Sequence, residues 1–257
     1  MFVSVCDMVV PTRMIVAGKG GSGKSTMTTL IARFALKKGR QVIVVDADES
    51  NPGIQRMIGS THVSAGLMDS VGGREHVFGT EKDASSEKVR NAVESVMQEA
   101  KGSRLYIIEV GKVREAGSGC ACPHGAITRE ILSYPLSSET LLLVDAEAGV
   151  EHFGRGIDSK VDMILFIVDP SYDSVVLCRE AKRLADSIKV KLLAVLNKVD
   201  SENTSAFLKE ELNEIGVDVR AILPYDEEIV SSTLQGKPLE AGSAIETLQG
   251  FLDEMLD

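Results

Sequence analysis

No stretch of this chain is apolar for the ~18 residues that a helix needs to cross a bilayer. No run of Lys or Arg appears either, and 28 basic against 38 acidic residues leave a formal charge of −10. Nucleic acid and anionic membrane surfaces repel such a molecule unless a basic patch overrides the net field, and none is evident. Four cysteines in 257 residues do not make a disulfide framework. The apolar start, Met1 to Val10, is short, lacks a basic beginning and a small-residue cleavage pattern, and contains Asp7. The expectation is therefore no signal peptide and a reducing cytoplasm.

What is there is ordinary for a globular chain: 44% hydrophobic and 26% charged residues. Met14–Ala17, Val42–Val45, Leu105–Val110, Leu141–Val144, Met163–Val168 and Leu192–Leu196 are near-continuous apolar blocks, and Val219–Leu223 is a seventh candidate. Unbroken apolar runs of this length fit strands buried on both faces, as parallel strands are. Helical stretches lie between them. Ser25–Lys38 follows a glycine loop and stops at Gly39. Cys178, Ala181, Leu184, Ala185 and Ile188 share one face at helical spacing, as do Ile245, Leu248, Phe251, Leu252 and Met255. Residues 60–103 are hard to read apart from a helical stretch over Val89–Ala100. The alternation predicts an α/β fold with a doubly wound, mainly parallel sheet flanked by helices. It forms one domain over residues 14–257, preceded by an arm or start-site extension over residues 1–13.

Gly18-Lys19-Gly20-Gly21-Ser22-Gly23-Lys24-Ser25 satisfies the spacing G-x-x-x-x-G-K-[ST] after a strand and before a helix. Glycines admit the backbone angles that turn successive N–H groups inward, toward phosphate oxygens at a helix N-terminus. Gly20, Gly21, Ser22, Gly23, Lys24, Ser25 and Thr26 form this cradle; Lys24 reaches the β- and γ-phosphates, and the Ser25 hydroxyl can ligate Mg²⁺.

Lys19 makes the loop Lys-Gly-Gly-Ser-Gly-Lys-Ser-Thr, which resembles the deviant Walker A loop of the MinD/ParA and nitrogenase iron-protein ATPases. The resemblance implies a P-loop ATPase whose early lysine crosses a two-fold axis to the other subunit's nucleotide, so that ATP binding drives homodimerisation. It also implies that Asp48, in Val45-Asp46-Ala47-Asp48, orients the attacking water while Asp46 supports the loop or metal shell. Asp145-Ala146-Glu147-Ala148-Gly149 is similar to a switch II segment, with Asp145 holding an Mg²⁺-bound water and Gly149 giving the loop its freedom. Asn197-Lys198-Val199-Asp200 looks like the guanine-selecting tetrapeptide of GTPases when read alone. In deviant Walker proteins a similarly placed asparagine reads adenine, helped by a segment like Leu223-Pro224-Tyr225-Asp226, which makes Asn197, Pro224 and Tyr225 base contacts for ATP.

Cys120-Ala121-Cys122-Pro123-His124 sits among glycines between the third and fourth strands, where the sequence predicts a turn. Cys-x-Cys lets both sulfurs approach one ion, and a two-fold dimer supplies the four thiolates that a tetrahedral site needs. Thiolates favour nickel, zinc, copper(I) or an iron–sulfur cluster. His124 reads either as an extra ligand or as an ordinary exposed loop histidine. Cys178 reads as core, and Cys6 has no partner spacing.

The deviant loop, the cysteine turn and Ala148-Gly149-Val150-Glu151-His152 together resemble the CooC-type nickel-insertion ATPases that mature carbon monoxide dehydrogenase. Glu147 stands where that branch carries glycine; Glu151 and His152 receive no catalytic role. The resemblance implies Ni²⁺ or Zn²⁺ at Cys120 and Cys122 and a client carbon monoxide dehydrogenase or acetyl-CoA synthase. It implies neither nucleic acid nor membrane as partner. Two other readings remain open. A MinD/ParA-type positioning ATPase would want a basic terminal helix or face, whereas Ala241–Asp257 carries Glu246, Asp253, Glu254 and Asp257 without Lys or Arg. An iron–sulfur carrier like the nitrogenase iron protein would draw its cysteines from two separated segments.

Overall fold

The computed structural model describes residues 10–48, 53–60, 66–71, 82–111, 122–148 and 160–256; of residues 82–86, 122 and 123 it describes the backbone. The chain runs β1 (Arg13–Gly18), α1 (Lys24–Lys37), β2 (Gln41–Asp46), α2 (Ile54–Ile58), α3 (Leu67–Ser70), α4 (Lys82–Ala100) and β3 (Leu105–Glu109). It continues through α5 (Cys122–Ser133), β4 (Thr140–Asp145), β5 (Met163–Val168), α6 (Tyr172–Ser187), β6 (Lys191–Val199), α7 (Glu202–Glu214), β7 (Asp218–Pro224), α8 (Glu227–Leu234) and α9 (Gly242–Leu256).

All seven apolar blocks are strands of one sheet in the order β3-β2-β4-β1-β5-β6-β7. Every pairing is parallel. Period-two alternation splits each strand between two cores. Met14 and Val16 pack with Met27, Leu30, Ile31 and Phe34 of α1 and with Leu248, Leu252 and Met255 of α9. Ile15 and Ala17 face the opposite layer, where α4, α5, α6 and α7 contribute Val93, Ile127, Ala181 and Leu212. The strands are buried on both faces because both layers are covered, and so their residues carry no polar alternation.

Helix ends follow local chemistry. Gly39, at φ +91°, stops α1. Ser171 caps α6 by accepting from the Ser174 N–H, and Ser201 caps α7 by accepting from the Thr204 N–H. Asp226 caps α8 by accepting from the N–H groups of Glu228 and Ile229. The cysteine region departs from the expected turn: Cys122, Pro123 and His124 open α5. Proline suits a first helical turn, where its missing N–H has no intrahelical partner to lose. The helix expected over Val89–Ala100 begins earlier, at Lys82.

The order places β1 between β4 and β5. The chain leaves β1 toward β2 on one side and later reaches β5 on the other, so a crevice opens outside the carboxyl ends of these strands, where ligands bind in such sheets. Register brings Asp46 and Asp145 side by side on β2 and β4, and Val16 of β1 beside Asp145.

Candidate functional site: a phosphate cradle at the carboxyl edge of the sheet

The loop from Gly18 to Gly23 joins β1 to α1, and shape requires glycine at both of its ends. Gly18 has φ +151°, and a Cβ there would stand 2.5 Å from the Ile167 carbonyl oxygen and 2.7 Å from Ser22 Oγ. At Gly23, φ +103°, a Cβ would lie 2.2 Å from Asn197 Nδ2. Gly23 is also the N-cap of α1; no side chain caps that terminus and its first turn holds no acidic residue. Its N–H groups and the positive end of the helix dipole are therefore left to an external anion.

Two polar side chains at this opening are buried. Lys24 is only 6% exposed, and its ammonium donates to the Lys19 carbonyl at 3.3 Å. Ser22 Oγ is buried without a hydrogen-bond partner. A buried ammonium and an orphaned hydroxyl are costly unless a ligand completes them, and a polyphosphate supplies what both lack.

The carboxylate side of the site is built from β2 and β4. Ser25 donates to Asp145 Oδ2 at 2.6 Å, and the Thr28 hydroxyl lies 3.3 Å from Asp145 Oδ1 and 3.0 Å from the Lys24 carbonyl. Burial pushes the Asp145 carboxyl up to about 7; the Ser25 hydrogen bond opposes this, Asp46 and Asp48 add repulsion, and Lys24 draws it back down. Asp46 and Asp48 are buried as well, and the Asp48 N–H donates to Asp46 Oδ1 at 3.3 Å. A serine hydroxyl beside a carboxylate is a hard oxygen donor pair of the kind Mg²⁺ uses together with phosphate oxygens and water. The Ser25–Asp145 pair therefore fits that ion.

The carboxyl end of β6 braces the cradle. Asn197 donates through Nδ2 to the Ser22 carbonyl, and Lys198 donates through Nζ to the Gly21 carbonyl, both at 2.7 Å. Lys198 adopts φ +62°, a left-handed angle uncommon for a residue with a side chain. These two bonds fix the path of the loop, within which the Ser22 N–H donates to the Lys19 carbonyl at 3.1 Å. The Asn197 amide, expected at the base, is thus committed in part to the loop. Pro224 ends β7 beside Val199, the Tyr225 N–H donates to the Val199 carbonyl at 3.3 Å, and the Tyr225 ring is exposed. Asn197, near the end of β6, and Tyr225, just after β7, consequently sit at the same edge.

Lys19 is half-buried, and its ammonium donates to Ser171 Oγ of the same chain at 3.1 Å. Thr26 lies in the first turn of α1, half-buried. Ala148 Cβ comes within 3.6 Å of the position a Cβ would take on Gly20, which sets the start of the switch-like segment beside the loop. Gly149, Glu151, His152, Cys120 and Cys6 lie outside the described residues, as does the side chain of Cys122. His124 is not the exposed loop histidine of the simpler expectation: it is 3% exposed on α5, with Nε2 within 3.3 Å of where a Gly111 Cβ would sit. Cys178 is in the core, and burial raises its thiol to about 12. Among the described residues no cluster of three or more His, Cys, Asp or Glu could hold a metal ion.

Thr28, Ser171 and Asp169 were not singled out from sequence, and Lys198 was read only as part of its tetrapeptide. Thr28 stands three residues after Ser25 on the same helix face, a legible signal; the others depend on loops meeting in space.

A glycine loop opening a helix, a buried lysine and a serine–aspartate pair at the carboxyl edge of a parallel sheet define a P-loop nucleotide-binding protein. Residues 13–239 match the CobQ/CobB/MinD/ParA nucleotide binding domain, and the chain belongs to that family of ATP-binding ATPases. It is 34% identical over 238 residues to an uncharacterized ATP-binding protein of Methanocaldococcus jannaschii, covering 89% of this chain and 94% of that one. It is 29% identical over 235 residues to the carbon monoxide dehydrogenase accessory protein CooC of Rhodospirillum rubrum, covering 87% and 88% respectively. The cell division ATPase MinD of Pyrococcus furiosus shares the fold at TM-score 0.67 and 17% identity, over 95% of this chain and 98% of that one. No helix among the described residues is long and apolar enough to cross a membrane.

Proposed function

We propose that this chain is an ATPase that dimerises on binding ATP and carries a metal ion, nickel by preference, for insertion into a carbon monoxide dehydrogenase or acetyl-CoA synthase. The observation that carries the reading is a complete phosphate cradle with a lysine at position 19, in a chain that also bears Cys120-Ala121-Cys122 and resembles CooC over most of its length.

In this reading the α1 N-terminus, the loop N–H groups and Lys24 hold the triphosphate. Ser25 would ligate Mg²⁺ and Asp145 would hold a water bound to it; the ion would neutralise phosphate charge. Asp48 orients the attacking water. The Asn197 oxygen, left over once its amide has bound Ser22, is an acceptor matched to the exocyclic amino group of adenine, with Tyr225 beside the base. Lys19 reaches the partner's nucleotide and stabilises the charge that develops during hydrolysis. Closure brings two Cys120/Cys122 pairs together around one soft metal ion, and hydrolysis loosens the interface, coupling metal release to the nucleotide.

The test is the metal content of the dimer formed with a non-hydrolysable ATP analogue and Mg²⁺, in the wild type and in a Cys120→Ser/Cys122→Ser protein, each offered Ni²⁺ and Zn²⁺. One ion per dimer, lost in the double variant, is expected. Equal metal in both proteins defeats the metallochaperone reading. ATP-dependent capture on liposomes or DNA instead would favour a positioning ATPase. Against that outcome, α9 buries Leu248, Phe251, Leu252 and Met255 in the core, so this acidic helix has no free apolar face for lipid.

A further inference from the structure

The Lys19 ammonium is held within its own chain by a short relay that ends on a carboxylate. Its partner, Ser171 Oγ, donates to Asp169 Oδ1 at 2.5 Å and accepts from the Ser174 N–H at 3.4 Å as the N-cap of α6. A hydroxyl has one proton and two acceptor lone pairs. Lys19 and Ser174 can only donate, so the Ser171 proton must point at Asp169 and both lone pairs are taken. The hydroxyl is therefore locked in the one orientation that accepts a lysine. Asp169 is itself fixed, because its own N–H donates to the buried Ser174 Oγ at 3.2 Å.

Two further features set the strength of this hold. The relay lies at the N-terminus of α6, where the helix dipole disfavours a cation, and Asp169 offsets that. Lys19 thus rests on a neutral oxygen with the negative charge one atom group further away. A direct ion pair would grip harder. A triphosphate oxygen offers the ammonium full negative charge and wins the competition.

We propose that Ser171, oriented by Asp169, is a positioning residue that keeps Lys19 parked in the nucleotide-free chain, and that ATP must take the lysine from it before two copies can close. The proposal deepens the dimerisation reading above and rests on it for its consequence, whereas the parking itself concerns the single chain. The relay raises the nucleotide concentration needed for closure and keeps the cation from pairing with other anions in the meantime.

Ser171→Gly and Ser171→Asp separate this role from helix capping. Glycine is tolerated at an N-cap almost as well as serine, and aspartate caps as well as serine does. Neither change therefore perturbs α6 strongly, but glycine removes the acceptor and aspartate replaces it with a charge. Two measurements are made. The first is acylation of Lys19 by an amine-reactive reagent in the nucleotide-free protein, followed by peptide mass spectrometry. The second is the concentration of a non-hydrolysable ATP analogue, with Mg²⁺, needed for half-dimerisation.

Ser171→Gly is expected to speed Lys19 labelling and to lower the half-point about fivefold, the loss of one ordinary hydrogen bond. Ser171→Asp is expected to shift both the opposite way. In a Lys19→Ala background, which removes the parked cation, neither substitution should change the affinity of the single chain for a fluorescent ATP analogue. Equal Lys19 labelling in all three forms overturns the parking proposal whether or not the protein dimerises. Wild-type protein that stays monomeric with the analogue overturns the dimerisation reading, and the labelling result still decides the proposal. Shifts of the same sign for glycine and aspartate also overturn it, because they would report helix capping alone.

Discussion

Asp145→Asn in the nucleotide-free protein tests the electrostatics of the site most directly. Asp145 is fully buried, and its carboxyl is displaced from 3.8 to about 7, chiefly by desolvation. The folded chain therefore keeps a proton on Asp145 that the unfolded chain releases above its ordinary value. Between about pH 4 and pH 7 the folded state binds the extra proton, so this group's contribution is complete at low pH and is lost as pH rises through 7. The displacement corresponds to roughly 4 kcal/mol in total. Asparagine is neutral at every pH, nearly isosteric, and its oxygen still accepts from Ser25. Unfolding free energies from urea melts at pH 5, 6, 7 and 8 should thus diverge. The variant gains about 1.4 kcal/mol on the wild type for each pH unit up to 7 and keeps a constant advantage above it. Titrating groups away from Asp46 and Asp48, whose charges act on Asp145, affect both proteins equally. Parallel stability curves across this range would refute the claim that burial raises the Asp145 carboxyl at the end of β4. The same variant should lose ATP hydrolysis, since the carboxylate of the Ser25–Asp145 pair is gone.

Two further substitutions probe shape. Gly23→Ala forces a Cβ to within 2.2 Å of Asn197 Nδ2 at φ +103°; a loss of about 1–3 kcal/mol in stability is expected, together with weakened binding of a fluorescent ATP analogue. Phe166→Ala empties a fully buried position in the middle of β5. It should cost about 3–5 kcal/mol in denaturant melts while leaving nucleotide affinity per folded molecule unchanged.

Much of the fold was legible because burial on both faces writes a strand as an unbroken apolar block. Met14–Ala17, Val42–Val45 and the other blocks each became a strand of the observed sheet. The phosphate loop was legible for a different reason: its function needs contiguous residues, so spacing alone reports it. The Cys122–His124 segment was less so. Flanking glycines suggested a turn, but Pro123 is equally at home in the first turn of a helix, and the chain takes the helix. His124 reads from sequence as an extra ligand or as an exposed loop residue; the packing of α5 beside Gly111 buries it.

The amino-acid order by itself determined the strands, the helix that follows the loop and the cradle's own glycines, since these depend on neighbours a few residues apart. Tertiary structure alone decided that Asn197 and Lys198 brace loop carbonyls some 175 residues away in the chain, that Ser171 receives Lys19, and that Asp145 lies buried between Ser25 and Asp46. Those contacts arise from which strands become neighbours in the sheet, a choice made by the packing of both helical layers at once. No local pattern encodes a hydrogen bond whose two ends meet only after that packing is complete.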